Sequence, residues 1–360
     1  MIPRVTATVD LAAIRHNLAQ VRRYAPKSKV MAAVKADAYG HGAIEVARTL
    51  EDAGVEALAV ACMEEAQALR EAHIQTPIAI LEGVIAGEEA SLAAYEQLQI
   101  VVHDFWQLEL LESLPRGARL NLWFKLDSGM HRLGFPLDAV PRLVELLKRH
   151  PTWKLEGWLT HLARADETDQ PMTREQIAAF QRAIEGLPGP RSIANSAGLI
   201  AWPEARTDWV RPGLMLYGAS PFPDRPARDL GLKPAMRLES RLIAAREFDA
   251  GATIGYGAAY RCPERMRVGV VAVGYADGLH RSLSGGTPTL IRGRRAPVVG
   301  RVSMDMITVD LRPVPEAQVG DAVLLWGEAL PAEEIAGFAN TLVYELFCGL
   351  TNRVRFTYRR

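Results

Sequence analysis

The sequence predicts an α/β chain: a closed (β/α)8 barrel of TIM type followed by a mostly antiparallel β domain. Short apolar, β-branched runs begin near Val30, Ala57, Pro77, Ile100, Leu120, Leu155, Ser192 and Leu214, and most are followed by a segment of helical spacing. Near Lys233 the helical periodicity stops, and strand-like runs separated by Pro and Gly take over. The length of 360 residues accommodates a barrel of about 250 residues with a smaller domain beside it.

Taken in order, the run Val5 to Val9 precedes the first barrel unit and is expected to join the second domain. Helices are expected over Ala43 to Ala53, Met63 to Ala72, Glu88 to Glu96, Phe105 to Leu114, Leu137 to Arg149 and Thr173 to Gly186, where apolar residues recur three or four apart. Strands alternating with helices mean parallel strands joined by right-handed crossovers. A doubly wound open sheet uses the same alternation, but eight units in roughly 220 residues match the closed barrel better. The expected boundaries place the barrel at 10–232 and the β domain at 233–360 together with 1–9. Strands of that domain are expected over Arg241 to Phe248, Val268 to Tyr275, Pro288 to Arg292, Met306 to Leu311, Ala322 to Trp326 and Val354 to Tyr358. A single helix interrupts them where Pro331, Glu333 and Glu334 form a favourable first turn.

The 42 Lys and Arg balance 42 Asp and Glu, so neither a basic nucleic-acid surface nor a polybasic membrane anchor is indicated. Cys62, Cys262 and Cys348 are scattered and lack CxxC spacing, which excludes a disulfide framework or zinc ribbon and favours a reducing compartment. No metal is expected. The N-terminal stretch lacks the pattern of a signal peptide, and no apolar run reaches the length of a membrane helix, so a cytoplasmic location is expected.

In a barrel, catalytic groups sit at the C-terminal ends of strands. The run Val30 to Val34 ends on Lys35. A lysine there is either a solvated strand end or a barrel-mouth amine; burial would favour the neutral amine that Schiff-base chemistry requires. Asn195-Ser196-Ala197-Gly198 and Arg211-Pro212-Gly213-Leu214 offer a hydroxyl, small residues and backbone N–H groups suited to a phosphate, or else are ordinary loops. His161 ends another strand, as does Lys125 to Arg132. Read alone, these are a core histidine and a solvated ion-paired loop.

Together the pattern is more specific. Ala33-Val34-Lys35-Ala36-Asp37-Ala38-Tyr39-Gly40-His41-Gly42, the stretch Asp127 to Gly134, Asn195-Ser196, Arg211-Pro212-Gly213, Gly255-Tyr256-Gly257, Gly274-Tyr275-Ala276-Asp277-Gly278 and Ser303-Met304-Asp305 occur in that order. With the barrel preceding the β domain, this arrangement resembles the alanine racemases nearly end to end.

The resemblance implies pyridoxal 5′-phosphate carried by Lys35 and L- and D-alanine as substrates. Racemisation removes a proton from one face of the substrate Cα and returns it to the other, so two opposed bases are needed. By analogy Lys35 serves the D-enantiomer and Tyr256 the L-enantiomer. A phenol ordinarily titrates near 10, so the resemblance calls for neighbours that favour the phenolate, with Arg132 and His161 as candidates. Tyr39, Ser196, Gly213 and Leu214 would cradle the phosphate. Arg211 would donate to the pyridine nitrogen without giving up its proton, and Arg132 and the Met304 N–H would bind the substrate carboxylate. Asp166, Tyr275, Arg281 and Arg301 match entrance positions, and Lys125 matches a lysine carbamylated in some relatives. A homodimer is implied, each barrel mouth being completed by the partner's β domain.

Asn352 stands where many relatives carry a tyrosine, and Ser303 where a cysteine is common. Other readings are a serine, lysine or broad-specificity racemase of the same fold and a non-catalytic pyridoxal-phosphate homeostasis protein. The latter are single barrels, without Tyr256 and the β domain. A decarboxylase of related architecture would want a recruited cysteine in the second domain, and neither Cys262 nor Cys348 sits in such a motif.

Overall fold

In the computed structural model, which describes residues 3–283 and 285–360, β1 (Thr6–Asp10) precedes eight parallel strands. These are β2 (Lys29–Ala33), β3 (Ala57–Val60), β4 (Ile78–Ile80), β5 (Gln99–Val102), β6 (Leu120–Lys125), β7 (Trp153–Leu159), β8 (Arg191–Ser192) and β9 (Trp209–Val210). Each pairs with the next and β9 pairs with β2, closing the barrel. Strands β3, β4 and β5 are buried at every residue, as parallel strands covered on both faces must be.

Two indoles largely determine the barrel interior. Trp123 and Trp209 meet edge to face, ring centroids 5.8 Å apart, and the residues packed with them include Ala57, Ala59 and Ala79. Small side chains are needed where two of the largest share one layer. The Trp123 Nε1–H donates to Gln99 Oε1 at 2.7 Å, so the buried amide and indole satisfy each other. Gly157 on β7 has the same origin, since a Cβ there would lie 2.5 Å from the Trp123 ring.

The expected helices form within a few residues of their predicted ends: Ala43–Asp52, Met63–Glu71, Gly87–Tyr95, Phe105–Glu112, Val140–Arg149 and Met172–Ala183. The Leu137 segment opens as a separate 3-10 turn, Leu137–Ala139. One strand expectation fails. The eighth barrel strand is Trp209–Val210, whereas Leu214–Tyr217 is a 3-10 turn. Pro212 has no N–H to offer a ladder, and Leu214 to Tyr217 are buried side chains, so that run is apolar because it packs and not because it pairs.

The second sheet holds β10 (Met236–Phe248), β13 (Met266–Val271), β14 (Pro288–Ile291), β15 (Arg294–Val299), β16 (Ile307–Asp310), β17 (Ala322–Trp326) and β18 (Arg355–Arg359); β11 (Thr253–Ile254) and β12 (Tyr260–Arg261) form a small hairpin. Its order is β13-β16-β15-β14-β17-β10-β1-β18, with β10 also pairing β13. Strand β10 does this by pairing β17 through Leu238 to Arg241 and β13 through Leu242 to Phe248. All pairings are antiparallel except β1 with β18. The expected strand ending at Tyr275 stops at Val271, and Tyr275–Asp277 is a 3-10 turn. Strand β15 was not anticipated. The helix after Pro331 runs Ala332–Ala339 with Glu333 and Glu334 in its first turn, but it is not the single helix expected there: a second, Val343–Cys348, follows it.

The chain divides into two compact units. One comprises Asn17–Ala38 and Ala43–Leu216; the other gathers the N-terminal strand, Tyr39–Gly42 and Tyr217–Arg360. Among the described residues no helix is long and apolar enough to cross a membrane.

Candidate active site

Within the barrel unit, Lys35, Lys125, His161, Ser196 and Arg211 all lie at or just past the C-terminal ends of strands, and so at one mouth. The end of β2 is fixed by the Ala33 N–H donating to Pro212 O at 2.9 Å and the Val34 N–H to Ala59 O at 2.8 Å. Lys35, half-buried, follows immediately. The backbone then takes a turn that neither periodicity nor composition foretells. From Ala36 to Tyr39 four successive non-glycine residues have φ of 51° to 54°, and Gly40 has 70°, so Lys35–Gly40 is a left-handed turn. An L-residue in that region costs about 1–2 kcal/mol, so surrounding contacts must hold the segment.

Five basic groups meet at the mouth. Burial, followed by Arg211, Lys125, Arg132 and Lys35, drives the half-buried His161 imidazole well below its ordinary range, so it is neutral at pH 7. Gln176 holds the same strand end, donating to His161 O at 3.2 Å and accepting from the Ala163 N–H at 2.9 Å. Lys125 is buried, and burial, then Arg211 and Arg132, lower its ammonium to about 8. Its Nζ donates to Leu133 O at 2.7 Å. Burial brings the Arg211 guanidinium down to about 10. It donates to Ser192 Oγ at 2.6 Å and to the carbonyls of Thr160 and Ile193.

The nearby carboxylate does little to balance these charges. Burial pushes Asp127 up, but N–H groups of Gly129 and His131 and the His131 ring outweigh it and hold the carboxyl below its usual range. Its Oδ1 accepts from the N–H groups of Gly129, Met130 and His131 at 3.0 Å each, so it organises the loop that carries the exposed Arg132. The mouth is therefore a donor-rich site suited to anions.

Ser196 Oγ accepts from the N–H groups of Gly213 at 3.0 Å and Met215 at 3.3 Å, which joins the loops after β8 and β9. The Gly213 N–H, expected to face a phosphate, thus donates to Ser196. Leu214 is buried beside it. Tyr39 groups with the second unit, where it stacks on Tyr217 at 4.8 Å and meets Tyr344 at 5.6 Å. Burial, then Tyr344 and Cys348, push its phenol upward, so it stays a protonated donor.

The remaining candidates lie in the second unit, apart from Asp166, which is exposed on the barrel unit. Tyr256 is 71% exposed on a turn between Gly255 (φ 73°) and Gly257 (φ 69°). It lines a cavity of about 390 Å³ with Arg301, Ser303 and Met306. Met304 is 52% exposed on a loop held by the Tyr275 N–H to Ser303 O at 3.1 Å and the Ala276 N–H to Met304 O at 3.0 Å. Tyr275, Arg281 and Asn352 are exposed.

The alanine racemase N-terminal domain model matches residues 9–221 and the C-terminal domain model matches residues 235–358. The chain belongs to the alanine racemase family. It is 50% identical over 352 residues to the alanine racemase of Nitrosococcus oceani, covering 97% of each chain. The biosynthetic alanine racemase of Pseudomonas aeruginosa superposes with a TM-score of 0.97 at 45% identity, with both chains fully covered. The structure of the Bartonella henselae alanine racemase with covalently bound pyridoxal phosphate superposes with a TM-score of 0.91 at 28% identity, covering 99% of this chain and 100% of that one.

In this member of the alanine racemase family, Lys35, Lys125, His161 and Arg211 stand at or just past strand ends of the barrel, whereas Tyr256, Tyr275 and Met304 stand on turns and loops of the second unit. The supporting residues were missed: Ser192 and Thr160 under Arg211, Gln176 under His161, and Glu65 under the turn that follows Lys35. Only Glu65 left a trace in the sequence, as an acidic residue in a helix first turn.

Proposed function

We propose that this protein interconverts L-alanine and D-alanine with pyridoxal 5′-phosphate bound at the barrel mouth through Lys35. The observation that carries the proposal is the convergence of Lys35, Lys125, Arg132, His161 and Arg211 on one mouth with Asp127 tied into its own loop. Such a donor set fits an anionic phosphate and a carboxylate substrate. As the resemblance implies, Tyr39, Ser196, Gly213 and Leu214 would hold the phosphate, Arg211 the ring nitrogen and His161 the ring surround. When bound, the cofactor supplies the electron sink that makes the substrate Cα–H acidic enough to leave.

The protein's own part is to bind, orient and move protons. Arg132 and the Met304 N–H orient the substrate carboxylate. The Lys35 amine moves the proton on one face of Cα and the Tyr256 oxygen moves it on the other, the two exchanging acid and base roles with direction. A neutral His161 and a protonated Tyr39 hold their neighbours without competing for that proton. Lys125, titrating near 8, has an amine fraction able to add carbon dioxide, and the resulting anion would pair with Arg132. Asp166, Tyr275, Arg281 and Arg301 would narrow the entrance.

The working form is a homodimer in which one chain's β domain completes the other's barrel. The exposure of Tyr256 and Met304 supports this, because residues that exclude water during proton transfer need a second surface over them. The D-alanine formed would serve cell-wall peptide synthesis or alanine catabolism in the cytoplasm.

Chiral chromatography after incubation with L-alanine and pyridoxal phosphate tests the activity. Equal amounts of both enantiomers are expected, as is a visible absorption band that disappears in Lys35→Ala. Turnover of serine or lysine equal to that of alanine would replace the narrow assignment with a broad one.

A further inference from the structure

The peptide bond that follows Lys35 is held by a residue of another helix. Glu65 lies in the first turn of Met63–Glu71. Its Oε1 accepts the Ala36 N–H at 2.6 Å, and its Oε2 accepts the Ala61 N–H at 2.7 Å. Ala61 comes directly after β3, and its own carbonyl accepts the Glu82 N–H at 3.1 Å. One carboxylate therefore joins the end of β2 to an already fixed β3 end.

The consequence for Lys35 follows from peptide geometry. The Ala36 N–H shares a plane with the Lys35 carbonyl, so fixing its direction fixes ψ of Lys35 and the start of the left-handed run together. The rest of that run has separate supports: the Ala38 N–H donates to Val34 O at 2.8 Å, and Asp37 Oδ1 accepts the Ala43 N–H at 2.7 Å. Among the described residues, Glu65 is the acceptor recorded for the Ala36 N–H. Hydrogen bonds from N–H groups to a carboxylate are stronger than those to a neutral oxygen, which suits a joint that must resist backbone strain.

We propose that Glu65 is a positioning residue for Lys35: by clamping the Ala36 N–H against the end of β3 it fixes the Lys35 backbone, and so the direction from which the amine meets cofactor and substrate. The assignment rests on the reading that Lys35 carries pyridoxal phosphate. Glutamine keeps the shape of Glu65 but turns one acceptor into an NH2 donor facing an N–H. Aspartate keeps the charge but is one methylene too short to reach both.

The test compares wild type, Glu65→Gln and Glu65→Asp as full-length protein. For Glu65→Gln we expect at least a tenfold rise in amide exchange at Ala36 to Tyr39 in the cofactor-free protein. The visible band should form at least tenfold more slowly on adding pyridoxal phosphate, and its pH midpoint should shift. In the loaded enzyme kcat for alanine should fall tenfold or more with KM within about twofold. Glu65→Asp should lie between the two and serves if the glutamine variant folds poorly. Unchanged exchange, band formation and pH midpoint overturn the proposal, as does a loss of activity that only tracks a lower melting temperature. If wild type forms no band, the cofactor reading fails instead, and amide exchange alone decides whether Glu65 holds the turn.

Discussion

Arg211 Nη1 donates to Ser192 Oγ at 2.6 Å, and the other recorded acceptors of this buried guanidinium are the carbonyls of Thr160 and Ile193. Among the described residues, a full charge is thus held by neutral oxygens alone. Arg211→Lys cannot reach all three with one ammonium group, so buried acceptors lose their donors, at a cost of about 1–3 kcal/mol. Urea unfolding at pH 7 measures the difference; a midpoint equal to wild type would mean the contacts are slack.

Lys125 gives the folded state a defined response to alkali. Its ammonium falls from an ordinary 10.5 to about 8, mainly through burial and then through Arg211 and Arg132. Between about 8 and 10.5 the unfolded chain holds the extra proton, so stability rises with pH across that window. Below it the full penalty applies, on the order of 3 kcal/mol. Lys125→Met should flatten the rise and be the more stable protein at pH 7 in cofactor-free, bicarbonate-free buffer. Urea midpoints from pH 7 to 10.5 check both expectations.

The same amine is the group proposed to take up carbon dioxide: its nitrogen would attack the carbon, an N–C bond would form, one amine proton would pass to solvent, and a carbamate anion would remain. Carbon-13 NMR in labelled bicarbonate should show a carbamate resonance that Lys125→Ala lacks. A wild-type spectrum without it rules the modification out.

Tyr256→Phe should retain the visible band but lose racemisation by a factor of about 10² to 10⁴. Solvent deuterium should still enter Cα from the enantiomer served by Lys35, and far more slowly from the other. Undiminished racemisation would remove the second base from the mechanism.

Gly40 and Gly42 separate two kinds of crowding. A Cβ at Gly40 would lie 2.1 Å from the Phe347 carbonyl oxygen, part of the backbone; one at Gly42 would lie 1.9 Å from the Tyr358 hydroxyl, the tip of a side chain. Both residues have positive φ, 70° and 87°. Gly40→Ala should therefore lower the melting temperature more than Gly42→Ala. Tyr358→Phe should recover part of the loss at Gly42 and none at Gly40.

The barrel was legible because its strands are buried on both faces and its helices are amphipathic, two patterns that survive in a bare sequence. Trp209–Val210 is too short to show a period, and the apolar run after it drew the eighth strand toward Leu214. Strand β15 opens Arg294-Arg295 with exposed side chains and carries a proline, so only its last two residues, Val298 and Val299, look like a strand. At the site, Lys35, Lys125 and His161 were found because strand ends are readable, whereas Arg211 came from the order of the motifs, since the eighth strand was expected to begin only at Leu214. The left-handed turn was not, since Ala, Asp, Ala and Tyr are all capable of ordinary helix. Its support lies elsewhere in the chain, in the Glu65 carboxylate that accepts the Ala36 N–H.

Strand β1 pairs with β10 on one side and with β18 on the other, Thr6 lying opposite Glu239 and Arg355. On the ribosome, at about 5–20 residues per second, the first strand made waits roughly 20 to 70 s for the last. During that interval its open edge is a template for any stray strand, which makes premature termination near the C-terminus a route to aggregation as well as to loss of activity.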